Sequence, residues 1–331
     1  MINNIKPLET DKHKLLDLVR LITRKQGKAL GTEKAYCNWI KRYVIFHNKK
    51  HPSEMGTHHI KLFLIHLAED EKVSPSTQNS ALNAISFLYR EVLKIEIAGL
   101  EKIKRPGANR NLPEILNEQD IVLILMNLSG VSQLMLSMIY GSGMSVKECI
   151  RMRIEDVSFK RSQIFIRDSK GKGRWSLMPQ SIQPLLTTHI EKVKKLHSSD
   201  LSAGHGLARH PMQENVTNPV LVDCWELQWL FPTKKMSKDP RSNNKLRHHV
   251  HQDMLSRQLL LVMVKTGINK VVNIKSFQGA FASHLLQQGY DVRTVQGLLG
   301  HSQMETTLQY DQLLKRVGVD IQSPLEELFK N

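Results

Sequence analysis

The sequence predicts a mainly α chain with a small antiparallel β-sheet, arranged as two domains. Three observations lead there. Apolar residues recur at helical spacing along almost all of Lys12 to Lys94. Only one region, Gln163 to Pro179, alternates about a glycine-flanked turn as paired strands do. Between them residues 95–112 carry Lys102, Lys104, Arg105, Pro106, Gly107 and Arg110, too polar and broken for core, and read as a basic linker. With 331 residues, 40% of them hydrophobic, the chain is long enough to fill two cores.

The first domain, residues 1–100, reads as a helical bundle. Thr32 begins TEKAYCNWIKRYVIFH, which gathers Tyr36, Ile40, Tyr43 and Val44 on one face and leaves Lys34, Lys41 and Arg42 to project elsewhere. Pro52 and Gly56 end it, Thr57 caps IKLFLIHLAED, and Ser74-Pro75 opens a helix with Ala81, Leu82, Ile85, Leu88 and Tyr89 inward.

The second domain, residues 114–331 after a linker at 101–113, opens on a helix capped by Asn117. Gln163–Arg167 reads as a strand, Lys170–Gly173 as a tight turn and Trp175–Pro179 as the return. Near the end, Asp291 caps a short helix with Val292, Val295, Leu298 and Leu299 on one side, and Gly300 stands where a left-handed cap is wanted. Ser302 with Glu305 forms a capping box for a second helix bearing Met304, Leu308 and Leu314. His301 then lies in the turn and Tyr310 on that helix.

A formal charge of +16 points to a polyanionic partner, because neutralising many phosphates releases condensed counterions. Cys37, Cys149 and Cys224 show no paired spacing, which suggests free thiols in a reducing compartment. No apolar run approaches the roughly 18 residues of a membrane span and no apolar leader opens the chain, so a cytoplasmic location without a membrane partner is expected. His248, His249 and His251 cluster, but no Cys or carboxylate follows at ligand spacing, so no metal is expected.

LLGHS followed by TT-x-x-Tyr310 resembles the end of the tyrosine recombinase (phage-type integrase) family. The resemblance implies a two-domain clamp: a core-binding, SAM-like DNA-binding domain, and an α+β catalytic domain that breaks and rejoins DNA. It assigns Tyr310 as the nucleophile on the scissile phosphate and His301 as a phosphate-oxygen donor. Lys172 of the GKG turn becomes the general acid for the 5′-oxygen. MLSMIYGSGMSVKECIRMRIEDVSF resembles the first catalytic box, with Gly141, Gly143, Glu148, Arg153 and Asp156 in place, but Ser145 stands where that box has arginine. Arg151 and Arg153 are read as surface arginines of the following helix. In the second box Lys275 replaces histidine, a change some members tolerate, Gln278 replaces arginine, and Gly279 replaces a further histidine. The return strand is shorter by about two residues than the usual GKG-x-K-x-R pattern.

Phe231-Pro232, Asp239-Pro240-Arg241-Ser242 and Arg247-His248-His249 sharpen the resemblance to integron integrases, with an insertion at about 197–251. In those proteins the insertion grips bases extruded from a folded single-strand hairpin. Trp225, Pro240, Arg247, His248 and His249 are the candidates here, beside the backbone-binding set Lys34, Lys41, Arg42, Lys102, Lys104 and Arg105. Core packing remains the other reading for Trp225 and Trp229. The resemblance also implies a tetramer on DNA that exchanges C-terminal segments. Two readings of function stand: an integron-type recombinase with an impaired site, or an inactive relative that occupies recombination sites.

Overall fold

A computed structural model describes residues 14–99, 116–167, 173–213, 219–239, 244–300 and 323–328, in two compact units that meet within residues 100–115 of the sequence. The first unit consists of α1 (Leu15–Lys25), α2 (Leu30–Phe46), α3 (Thr57–Glu69) and α4 (Pro75–Phe87), which continues through a π-helical turn, Leu88–Leu93. Two expected starts shift. Helix α2 begins before Thr32, and Gly56 rather than Thr57 is the cap of α3, because the Thr57 hydroxyl donates to Ala98 O at 2.5 Å. Ser74 does cap α4, accepting from Thr77 N at 3.3 Å with Pro75 at the first helical position.

The bundle closes because Ile40, Tyr43, Ile60, Phe63, Leu67, Ile85 and Tyr89 are fully buried, each side chain contributing roughly 1.5–3 kcal/mol. Two phenols in that core are satisfied: the Tyr43 and Tyr89 hydroxyls lie 3.1 Å apart and Tyr89 donates to Pro52 O at 3.0 Å. Arg24 grips the buried Glu33 carboxylate with two bonds of 2.9 and 3.0 Å, which fixes α1 against α2.

The second unit begins at α5 (Glu118–Met126), where Asn117 and Asp120 form a reciprocal cap. It continues through α6 (Gly130–Ser142), α7 (Val146–Ile150), β1 (Val157–Ser158), β2 (Gln163–Arg167), β3 (Gly173–Leu177), α8 (Gln183–Ser202) and α9 (Gln252–Thr266). The last helices are α10 (Ile274–Gln287), α11 (Val292–Leu299) and α12 (Pro324–Glu327). Strands β1, β2 and β3 form one antiparallel sheet in which Phe165 faces Trp175 and Ile164 faces Ser176. Two short hairpins, Ala208–Arg209 with Leu221–Val222 and Ser237–Lys238 with Lys245–Leu246, make up the rest. The mainly α fold with small antiparallel sheets is thus present.

Helices α6 and α10 are buried on nearly every side and pack together, with the Tyr140 hydroxyl 2.8 Å from His284 Nδ1 across the contact. Their approach depends on Gly143, which ends α6 at φ +70° and whose added Cβ would stand 2.4 Å from the Phe281 ring. The Ser176 hydroxyl of β3 donates to Ser142 O at 2.6 Å, so the sheet is tied to the same helix end. The C-terminal segment closes on its own chain: Ser323 Oγ donates to Gly141 O at 2.7 Å and Leu325 is fully buried.

Because both left-handed backbone and lack of space demand glycine at 143, Gly143→Ala should cost about 1–3 kcal/mol in denaturant unfolding of the intact chain. An unchanged midpoint and slope would show that the α6–α10 contact does not depend on it.

Candidate functional site

Ser145 and Gln278 converge on the loop between α6 and α7. Ser145 caps α7: its Oγ accepts from Glu148 N at 3.3 Å while its own N–H donates to Glu148 Oε2 at 2.6 Å. Gln278, half-buried on α10, donates from Nε2 to Gly143 O at 2.9 Å. Both polar groups serve the protein, and neither brings charge. Gly279 is buried beside Gln278, and Lys275 is exposed one residue after α10 begins.

A cation that reaches the Ser145 cap through Glu148 comes from β3, and sequence reasoning passed over it. Arg174 donates from Nε to Leu298 O at 2.6 Å and from Nη1 to Glu148 Oε1 at 2.7 Å. Its guanidinium lies over Gly300, where an added Cβ would be 2.6 Å from Nη1, and Gly300 has φ +69°. The only signal for it was an arginine two residues beyond Lys172 in the return strand. Arg174 therefore joins the α7 cap to the last turn of α11, where Leu298 lies three residues before His301. Asp291 caps α11 as expected, accepting from Arg293 N and Thr294 N at 3.0 Å each. Lys172, His301 and Tyr310 lie outside the described residues.

The reading of Arg151 and Arg153 as surface arginines of the following helix is corrected for Arg153, while Arg151 is exposed but ends that helix. Helix α7 stops at Ile150, Arg151 is its C-terminal cap, and Arg153 is 1% exposed in a bridge to Trp229. Arg153 bonds Leu227 O, and its guanidinium carbon sits 3.9 Å from the Trp229 ring centre. Burial lowers its pKa to about 10, so it stays charged at neutral pH.

Trp229 is the centre of the insertion. The exposed His248 ring stacks on it at 5.7 Å and 27°, and His249 meets it edge-on at 5.0 Å. Phe231 is fully buried, which fixes this strand-like segment from below. Trp225 is half-buried and tilts against the His197 ring at 5.6 Å, apart from that stack. Arg247 is not an open phosphate ligand: it bonds Asp200 with two nitrogens, Nη2 at 2.6 Å, and gives Nη1 to Thr233 O at 2.7 Å. It holds the insertion to α8. His251 caps α9 by accepting from Asp253 N at 3.4 Å. Among the described residues, no group of three His, Cys, Asp or Glu could hold a metal ion. Pro240 lies outside them.

In the first unit Lys34 and Lys41 are exposed, whereas Arg42 is already paired with Glu71 and lies 4.5 Å over the Trp39 ring. Such a half-exposed pair is worth little and exchanges readily for phosphate. Lys102, Lys104 and Arg105 of the linker lie outside the described residues. Among the described residues no helix is long and apolar enough to cross a membrane.

Residues 15–98 match the family described as "Phage integrase, N-terminal SAM-like domain", and residues 111–316 match the "Phage integrase family". Two curated proteins called integrase/recombinase, one from Escherichia coli and one from Pseudomonas aeruginosa, are each 34% identical over 316 residues. That alignment covers 95% of this chain and 94% of theirs. Among solved structures, the XerH site-specific recombinase bound to palindromic difH substrate in a post-cleavage complex superposes with a TM-score of 0.59 at 18% identity. It covers 91% of this chain and 81% of that one.

The packing around Trp229 makes stability depend on pH. Burial, with His248 second, pushes His249 down to about 4, and burial lowers His189 and His284 in the same direction. The unfolded chain therefore takes up these protons first, near the ordinary pKa of about 6.5, and stability falls with pH from there to about 4. Thermal midpoints measured from pH 7.5 to 4.5 should fall through this window, and His249→Gln should lessen the fall. A flat profile, or one that His249→Gln leaves unaltered, would contradict that assignment.

Proposed function

Because this chain belongs to the phage integrase family, that of the tyrosine recombinases, we propose that it is a site-specific DNA recombinase of the integron type whose catalytic centre is weakened. It works in the cytoplasm and assembles as a tetramer on DNA. Tyr310 attacks phosphorus to give a 3′-phosphotyrosine, Lys172 gives a proton to the departing 5′-oxygen, and His301 and Lys275 donate to the non-bridging oxygens. The bond energy stays in the phosphotyrosine link until a new 5′-hydroxyl attacks, so no cofactor is called for.

The weakening rests on one observation. Ser145 is spent on the α7 cap and Gln278 on Gly143 O, so the two positions that carry arginine in the family bring no charge to a phosphate whose charge rises in the transition state. Loss of one such donor costs roughly 10²–10³ in rate, and the two losses do not simply add. Binding has other sources. Lys34, Lys41 and a readily exchanged Arg42 in the first unit, with Lys102, Lys104 and Arg105 of the linker, neutralise backbone phosphates without the catalytic arginines.

The integron assignment is supported by the insertion. His248 lies exposed on Trp229 with Arg153 within cation–π reach of that ring, a platform that an extruded base can extend by stacking, worth roughly 1–3 kcal/mol per base. Trp225 stands apart from the platform, so His248 and Trp229 are the primary surface and His249 its neighbour.

Two results are expected. Introducing Ser145→Arg with Gln278→Arg should raise covalent adduct on nicked site DNA at least about tenfold, since each restores a charged donor. No rise would place the defect in the shortened hairpin or at Gly279. In competition at fixed ionic strength the unmodified protein should prefer a bulged single-strand hairpin to perfect duplex of equal length, and His248→Ala or Trp229→Ala should remove that preference. Equal affinity for both DNAs would remove the integron-specific part and leave a recombinase of the broader family.

A further inference from the structure

We propose that Arg174 is the phosphate-binding cation of this centre, supplied by β3 in place of the arginines missing at positions 145 and 278. This rests on the recombinase reading and names the group that gives that site its charge. Three observations carry it. The guanidinium is held over Gly300, the residue before His301, and bonded to Leu298 O, three residues before it, and its own residue lies two positions after Lys172. It is thus tied by the chain itself to two of the residues assigned to the phosphate.

It also reaches the Ser145 cap. Glu148 accepts from Ser145 N through Oε2 and from Arg174 Nη1 through Oε1, so one carboxylate separates the vacant arginine position from the arginine of β3. Finally, the side chain is neither open to solvent nor sealed: it is 17% exposed, and Glu148 is 20% exposed. Its contacts are Nε to Leu298 O, Nη1 to Glu148 Oε1 and a longer Nη2 bond of 3.4 Å to Glu148 Oε2. They use three of the five N–H groups of a guanidinium and leave two to meet non-bridging oxygens. Gly300 is what allows this, because any side chain there would occupy the space of the guanidinium.

The shortened return strand fits the same arrangement. Arg167 of β2 pairs directly with Gly173 of β3, so Arg174 stands at the second position of β3, opposite Ile166, and reaches α11. Glu148 keeps the fork oriented, while a phosphodiester, itself anionic, competes for the same donors. The pair gives a weaker phosphate ligand than an unpaired arginine, which accords with a slow centre.

The test is a binding measurement that requires no turnover. The full chain is used to select its best-bound DNA from random duplexes and folded single strands. Each phosphate of that DNA is then replaced in turn by a neutral methylphosphonate, and affinity is measured for the unmodified protein, Arg174→Gln and Arg174→Lys. The unmodified protein should lose affinity at a discrete set of phosphates. Arg174→Gln should be weaker overall, with a salt slope shallower by about 1, and should become indifferent to replacement at one phosphate of that set. Arg174→Lys, one donor in place of a fork, should show an intermediate loss there, and serves alone if Arg174→Gln does not fold. A merely structural Arg174 would weaken every DNA alike and leave the pattern of the scan unchanged, which would overturn the proposal. Failure to bind any DNA above background would overturn the recombinase reading and this proposal with it.

Discussion

The carboxylate of Glu148 is the interaction on which the second unit's site depends. It accepts from the Ser145 backbone on one side and from Arg174 on the other, and Arg174 in turn bonds the last turn of α11. Three segments far apart in sequence, the start of α7, the start of β3 and the end of α11, are therefore fixed by one anion and one cation. An anion so placed needs a charged partner, since a half-buried carboxylate left without one is costly. With serine at 145, that partner has to come from elsewhere, and β3 provides it.

This arrangement separates binding from chemistry in physical terms. Affinity for DNA grows with the number of phosphates met by exposed cations, and each such contact is small and replaceable. Rate depends on a few donors aimed at one phosphate and preorganised there, and the loss of a single one is felt in full. On the proposed reading, serine at 145 and glutamine at 278 leave out two of the second kind and none of the first, so binding would outlast the catalytic step.

Much of the fold was legible because local signals and burial agreed. Asn117, Ser74 and Asp291 cap the helices they precede, and the Gln163–Arg167 strand pairs with its return as the alternation implies. Where a tertiary partner competed, the sequence misled. Thr57 looks like a cap until its hydroxyl finds Ala98 O, and Arg153 looks like a helix-surface residue until Trp229 and Leu227 O bury it. Nothing in the neighbourhood of Arg247 announces its pairing with Asp200, 47 residues earlier on α8. Arg174 was overlooked for the same reason: its partners on α7 and α11 are 26 and 124 positions away. The identities of Ser145, Gln278 and Gly279 were legible at once, whereas the contact of Arg174 with Glu148 and Leu298 O was not.

The central claim is that occupancy and strand cleavage have come apart in this protein, and both can be counted in a single reaction. The unmodified full-length chain, saturated with a nicked substrate carrying its selected site, is divided between total bound DNA and DNA that stays attached after denaturation. The account predicts near-complete occupancy with only a small fraction of bound sites covalently attached, that fraction mapping to the peptide containing Tyr310. Covalent attachment that rises in step with occupancy would contradict it.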